Sequence, residues 1–176
     1  IIIEKIDINW PNEPYPIFKA IWESGAANLY RKLRDDQKEN VEFTFLDFSN
    51  RGKDYTLFDL MDIEAARAEN SSYFSKILEK KYTAIIGPTM PIVAFDAHRN
   101  VPNGWPEKDI FSWTPYTFPF NLTKHPASTV NCAFSKLGLP IGMQVVSPLF
   151  REDICMGVSY IIEKVSDLLS IWPEDL

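Results

Sequence analysis

The sequence predicts an α/β fold in which helices cover a mixed β-sheet. Short runs rich in β-branched or alternating apolar residues lie near the start, the middle and the last third of the 176 residues, and longer segments with apolar residues at helical spacing separate them. Apolar residues make up 45% and charged residues 24% of the chain, which is typical of a folded globular protein. Nothing in the pattern indicates a linker, so we expect residues 1–176 to form a single partial domain.

The predicted elements follow from these patterns in chain order. Residues 1–8 are rich in Ile and predict a strand, residues 17–38 predict a helix, and residues 41–55 fit either a short strand or a loop. Thr56 is a predicted N-cap because Asp59 lies three positions later. The helix that follows should reach Lys81, with a break at residues 70–72. Residues 82–86 predict a strand, residues 88–126 a proline-rich loop, residues 128–133 and 142–146 two strands, and residues 151–169 a final helix.

Charge and composition exclude several functions. The net charge is −6 and no run of Lys and Arg forms a basic patch, so we expect no nucleic-acid partner. No apolar stretch approaches the roughly 20 residues that span a bilayer, so no membrane partner is expected. The two cysteines do not make a disulfide framework, which favours a cytoplasmic setting. The chain carries neither a dinucleotide-binding nor a P-loop glycine pattern, so no cofactor is expected.

The most specific pattern lies between residues 82 and 165. Gly87-Pro88-Thr89-Met90-Pro91 ends a strand, Pro119-Phe120-Asn121-Leu122-Thr123 precedes Pro126-Ala127, and Gly138-Leu139-Pro140-Ile141-Gly142-Met143-Gln144 follows. This combination resembles the C-terminal conserved region of the amidase signature family. The resemblance is diffuse over residues 1–81. It implies the C-terminal part of that family's α/β/α fold, in a hydrolase that cleaves linear carbon–nitrogen amide bonds.

The resemblance also implies where the chemistry resides. Family members use a serine nucleophile, a second serine on a cis peptide bond and a lysine, carried with a Gly/Ser-rich loop in the N-terminal part. No such loop occurs here, so we predict that these residues include no catalytic residue and that this chain alone is inactive. The chain opens at Ile1 inside a predicted strand, which we interpret as the mark of a fragment. Its expected partners are the N-terminal part of the same enzyme and a small-molecule amide, with a homodimer as an open alternative.

The proline-rich loop supplies the candidate substrate contacts, because it would cover the mouth of the catalytic cleft. The substrate-binding candidates are Met90, Pro91, Ile92, Trp113, Thr114 and Phe118. For Trp113, plain core packing is the alternative. Thr114 stands where relatives that use glutamine carry an acidic residue for the substrate's amino group, which predicts an uncharged aryl or alkyl amide. Lys124 stands where the family usually has Gly, so we expect an altered turn there.

Other chemistry is weakly indicated. Cys132 and His125 could form a nucleophile and base, but we interpret Cys132 as inward-facing on a strand. Asp96 and His98 offer two metal ligands without a third at a recognisable spacing, so no metal is expected. Two other functions stay open: a non-catalytic or degenerate amidase-like fragment that acts as a binding module, and a plain α/β ligand-binding module.

Overall fold

The computed structural model describes residues 2–106 and 109–168, and these divide between Tyr73 and Phe74 into an N-terminal and a C-terminal compact unit. The helices are α1 (Pro14–Tyr30), α2 (Asp35–Lys38), α3 (Phe43–Gly52), α4 (Leu57–Lys80), α5 (Phe118–Thr123) and α6 (Glu152–Ser166), and the strands are β1 (Ile85–Pro88), β2 (Ala127–Phe134) and β3 (Pro140–Val146). Helices plus a small sheet confirm the predicted α/β class. The single domain stays a prediction.

Helices α1 and α3 form the core of the N-terminal unit. Pro14 opens α1, where its missing N–H removes no intrahelical hydrogen bond. Glu42 caps α3, because its carboxylate accepts hydrogen bonds from the backbone N–H groups of Thr44 at 2.7 Å and Phe45 at 3.2 Å. Both helices bury apolar residues that are at most 8% exposed, namely Ile17, Phe18, Ala20 and Ala26 on α1 and Phe48 on α3.

A buried polar cluster lies between the same two helices. The carboxylate of Glu23 on α1 is 3% exposed and lies 2.7 Å from Nε of Arg51 on α3. The hydroxyl of Tyr55 donates to the other oxygen of the Glu23 carboxylate at 2.9 Å. Burial, followed by the hydrogen bond to Glu23, raises the pKa of Tyr55 to about 12. A buried carboxylate needs such partners, because leaving it unpaired would cost several kcal/mol.

Helix α4 begins where the sequence predicts. Thr56 Oγ1 lies 2.6 Å from Asp59 Oδ2, and the backbone N–H of Asp59 donates to Thr56 Oγ1 at 3.2 Å, which confirms the cap. The break expected at residues 70–72 is wrong, since the helix is continuous there. The Asn70 side chain accepts from the backbone N–H of Asn12 at 3.0 Å and donates to its carbonyl at 2.9 Å. These bonds direct the amide outward from α4 toward another segment, so it does not compete for its own helix backbone.

The C-terminal unit contains a three-stranded antiparallel sheet in the order β1-β3-β2. A hairpin joins β2 to β3: Gly138 adopts a positive φ of 75°, and Ser135 Oγ accepts the backbone N–H groups of Leu137 and Leu139. All pairings between described strands are antiparallel, whereas the sequence predicts a mixed sheet. The hairpin and the antiparallel docking of β1 on the other edge of β3 account for this. Helix α6 covers one face, where Ser159 hydrogen-bonds Ser128 at 2.7 Å.

Three predictions for the first third of the chain are wrong. Residues 2–8 form no strand and Ile1 lies outside the described residues, because a strand needs a partner as well as β-branched residues. The helix predicted over residues 17–38 is two helices separated by a turn. Residues 43–52, expected as strand or loop, form α3, since Phe48, Ser49 and Gly52 bury one helical face.

Later in the chain the predictions hold better. Strands β1, β2 and β3 and the final helix are confirmed, although the predicted end at Leu169 lies outside the described residues. The proline-rich loop over residues 88–126, of which 107 and 108 are not described, also contains the short helix α5. Lys124 ends α5 with a left-handed φ of 61°. A glycine adopts that conformation without steric cost, which gives the Lys-for-Gly departure a physical meaning.

Candidate functional site

A cleft of about 320 Å³ lies in the C-terminal unit, in the segment that follows β1. Most of its lining comes from one stretch of chain, and a single tryptophan comes from further along the loop. The lining residues are Met90, Ile92, Val93, Ala94, Phe95, Asp96, Ala97, Arg99 and Trp113. Such a volume is at the lower end of the range for small-molecule sites.

The lining is mostly apolar and includes two charged residues, Asp96 and Arg99. The two charged residues hold fixed positions: Asp96 Oδ1 accepts the backbone N–H of His98 at 2.9 Å, and Arg99 Nε donates to the carbonyl of Val101 at 3.2 Å. All the other lining residues are aliphatic, aromatic or Met. The arrangement therefore suits a mainly apolar group with a polar atom that can meet one of the two charged side chains.

Trp113 and Phe95 form the aromatic part of the wall. Their rings meet edge to face, with centroids 5.0 Å apart and an interplanar angle of 87°. The indole Nε1–H is buried and meets no acceptor among the described residues. A buried donor without a partner is unfavourable by about 1–3 kcal/mol.

The six predicted substrate-binding residues occupy different places. Met90, Ile92 and Trp113 line the cleft together, and Pro91 lies between two of them without lining it. Thr114 Oγ1 donates to the carbonyl of Phe111 at 2.8 Å within its own turn. Phe118 is only 6% exposed at the start of α5 and belongs to the core of the unit.

The sequence reasoning missed the middle of the wall. Residues 93–97 and Arg99 also line the cleft, yet they sit in a segment that composition identifies only as loop. The apolar run Ile92-Val93-Ala94-Phe95 is the signal that could have found them. An apolar run in an irregular, proline-rich segment, followed at once by a charged residue, favours a wall rather than a strand.

Strand β3 supports both parts of this wall. The backbone N–H of Thr89 donates to the carbonyl of Gly142 at 2.9 Å, next to the lining residue Met90. Gln144, which is 6% exposed, donates from Nε2 to the carbonyl of Tyr116 at 2.9 Å. Gln144, the last residue of the family motif, thus forms a buried polar link to the loop before α5.

His125 and Cys132 do not meet as a nucleophile and base. His125 Nε2 lies 3.1 Å from Ser75 Oγ, and the histidine is 5% exposed. Burial lowers the pKa of His125 to about 4. Cys132 is half-buried beside the β-bulge of β2, where its Sγ lies 3.4 Å from the carbonyl of Ile141. No hydrogen bond joins the two within the described ranges, and neither residue lines the cleft.

The described residues offer neither a metal-ligand cluster nor a membrane-spanning helix. Residues 2–106 and 109–168 hold no group of three or more His, Cys, Asp or Glu side chains arranged to bind a metal ion. Asp96 and His98 are joined instead by a turn hydrogen bond. No helix in the described part of the chain has both the length and the apolar character to cross a membrane.

Similarity to known proteins identifies the family of this chain. A sequence model of the family described as Amidase matches residues 16–156, and the chain belongs to this family. A glutamyl-tRNA(Gln) amidotransferase chain of Clostridium novyi is 35% identical over 98 residues, which are 56% of this chain and 19% of that protein. An acylamidase of Rhodococcus erythropolis is 23% identical over 172 residues, which are 94% of this chain and 35% of that protein.

Solved structures support the same fold. The structure of a 6-aminohexanoate cyclic dimer hydrolase superimposes with a TM-score of 0.76 at 19% identity, covering 90% of this chain and 36% of that one. A crystal structure of an amidase gives 0.78 at 20% identity, covering 90% and 37%. The chain thus spans roughly a fifth to a third of the curated relatives that it matches.

Proposed function

We propose that this chain forms the C-terminal part of an amide hydrolase and contributes a wall of its substrate site, while the catalytic serines and lysine belong to the N-terminal part of the same enzyme. One observation carries the proposal: Met90, Ile92 and Trp113, chosen from sequence as substrate contacts, line one cleft in a chain of the Amidase family. The chain alone is then a binding surface without a nucleophile.

The chemistry of the cleft favours an uncharged aryl or alkyl amide. Its lining is mostly aliphatic and aromatic, and such walls bind apolar groups by removing their surface from water. The Thr114 hydroxyl is used within its own turn and carries no negative charge for an amino group. The names of two similar proteins, an acylamidase and a bacterial aryl acylamidase, agree with this substrate class.

The partners follow from the same proposal. The main partner is the N-terminal part of the enzyme, joined to this chain or supplied with it. A homodimer is an open alternative, as is a non-catalytic amidase-like module that binds without turnover. Both cysteines are free thiols, which agrees with a cytoplasmic location.

Hydrolysis of an anilide tests the proposal. The protein that contains this chain together with its N-terminal amidase part should release 4-nitroaniline from 4-nitroacetanilide, and the 176-residue chain alone should release none. Trp113→Ala should raise KM by about 30-fold, equivalent to about 2 kcal/mol, because the aromatic wall is lost. Measured turnover should change little, since Trp113 is placed as a binding residue.

Trp22→Ala is the matched control. Trp22 is 52% exposed in the N-terminal unit and does not line the cleft, so its loss should leave KM unchanged. Equal effects of the two substitutions would reject the cleft as the substrate site. Turnover by the isolated chain would show that the catalytic residues lie within it, and an absence of turnover in the longer protein would favour the non-catalytic alternative.

A further inference from the structure

The two parts of the cleft wall are anchored on the same strand, β3. The first part runs from Met90 to Arg99 and the second is Trp113. Both approach β3, at Gly142 and Gln144 respectively. Residues two apart in a strand point to the same face and lie about 7 Å apart.

The first anchor depends on the absence of a side chain at Gly142. A Cβ at this position would lie 2.9 Å from Thr89 Oγ1 and 3.0 Å from Thr129 Cγ2. The glycine therefore lets Thr89 settle directly on β3, where its N–H donates to the Gly142 carbonyl at 2.9 Å. Met90, the first residue that lines the cleft, directly follows Thr89 in the chain. The position of Thr89 on β3 therefore determines where this wall begins.

The second anchor is a side-chain hydrogen bond. Gln144 Nε2 holds the carbonyl of Tyr116 at 2.9 Å. Consecutive turns connect this point to the indole: the N–H of Thr117 donates to the carbonyl of Thr114, and the N–H of Thr114 donates to that of Phe111. Trp113 lies inside this series of turns, so moving Tyr116 moves the second wall.

We propose that Gly142 and Gln144 are positioning residues that set the separation of the two walls and so select the size of the substrate group. This positioning proposal rests on the proposed function, because that function makes the cleft a substrate site. Neither residue lines the cleft, so each acts through Met90 or Trp113.

Two variants and one control test the positioning. Gly142→Ala should displace Thr89, and Gln144→Met should release Tyr116 while keeping a side chain of similar length. Gly87→Ala is the control, since Gly87 pairs with Gln144 across β1 and β3 and a Cβ there meets nothing within 4 Å. In the longer protein, both test variants should raise KM for 4-nitroacetanilide by about tenfold while KM for acetamide and both kcat values change less than about twofold.

A spectroscopic readout separates this proposal from the proposed function. With 5-fluorotryptophan in place of tryptophan, the Trp113 resonance is assigned by its loss in Trp113→Phe. Because Trp113 meets Phe95 from the other wall, its ¹⁹F shift reports the separation of the walls. The ¹⁹F chemical shift of Trp113 should change in Gly142→Ala and in Gln144→Met, and should be unchanged in Gly87→Ala.

Each outcome decides one of the two proposals. If the Trp113 ¹⁹F resonance moves in both Gly142→Ala and Gln144→Met but the protein hydrolyses no amide, the positioning proposal is supported and the proposed hydrolase function is rejected. An active enzyme whose Trp113 shift and anilide KM stay at wild-type values in a folded Gln144→Met variant overturns positioning. An equal movement in Gly87→Ala also overturns it, because any added methyl group on the sheet would then suffice.

Discussion

Gly52 provides a sharp test of how the N-terminal unit is packed. It lies at the end of α3 against α1, and a Cβ at this position would overlap the backbone carbonyl of Glu23 and lie 2.9 Å from the backbone N of Ser24. A backbone cannot rotate away as a side chain can, so the helices must separate. Overpacking alone costs about 1–3 kcal/mol. Separation would also strain the buried contacts of Glu23 with Arg51 and Tyr55. We therefore expect Gly52→Ala to lower the free energy of unfolding by about 3 kcal/mol or more.

Gly25 makes the matching control within the same helix pair. A Cβ there meets nothing within 4 Å, so Gly25→Ala should raise the free energy of unfolding by up to about 1 kcal/mol through helix propensity. Urea denaturation followed by circular dichroism measures the free energy of unfolding of both variants, provided that the m-value stays constant. A Gly52→Ala protein as stable as Gly25→Ala would refute the packing described for α1 and α3.

Two further predictions concern a helix cap and a buried histidine. Thr56→Ala removes the cap of α4 and should lower the free energy of unfolding by about 1 kcal/mol, measured by urea denaturation; an unchanged midpoint would contradict the cap. Burial holds the pKa of His125 at about 4, below its value near 6.5 in the unfolded chain, so between these values the unfolded state binds a proton that the folded state does not. This residue's contribution to stability is therefore present above pH 6.5 and falls as the pH drops toward 4, by at most about 1.4 kcal/mol per pH unit. His125→Gln should lose less stability than wild type between about pH 7 and pH 4.5, and parallel pH profiles would reject a buried neutral histidine.

The sequence predicts best where a local rule identifies the element. The cap at Thr56 and Asp59 locates the start of α4, and the run Gly142-Met143-Gln144-Val145-Val146 locates β3. In both cases the residues that define the element also make its contacts. The cleft residues Met90, Ile92 and Trp113 were accessible from sequence because the family motif marks the turn after β1 and the loop before α5.

The failures share a physical reason, which is that the partner of a residue lies outside its local pattern. Residues 2–8 have strand composition, but no strand forms in that range, where Ile2 is 91% exposed. Helix α3 has alternating aromatic residues at its start, and only its packing against α1 distinguishes helix from strand. The support of the cleft by Gln144 depends on Tyr116, 28 residues away, so no sequence spacing predicts it.

The location of a bound substrate analogue tests the central claim most directly. A crystal structure of the longer protein with a non-hydrolysable anilide analogue should place the aryl ring within about 4.5 Å of both Met90 and Trp113, inside the cleft. An analogue bound beside the catalytic serine with no atom near either residue would contradict the assignment of this chain as a substrate-binding wall.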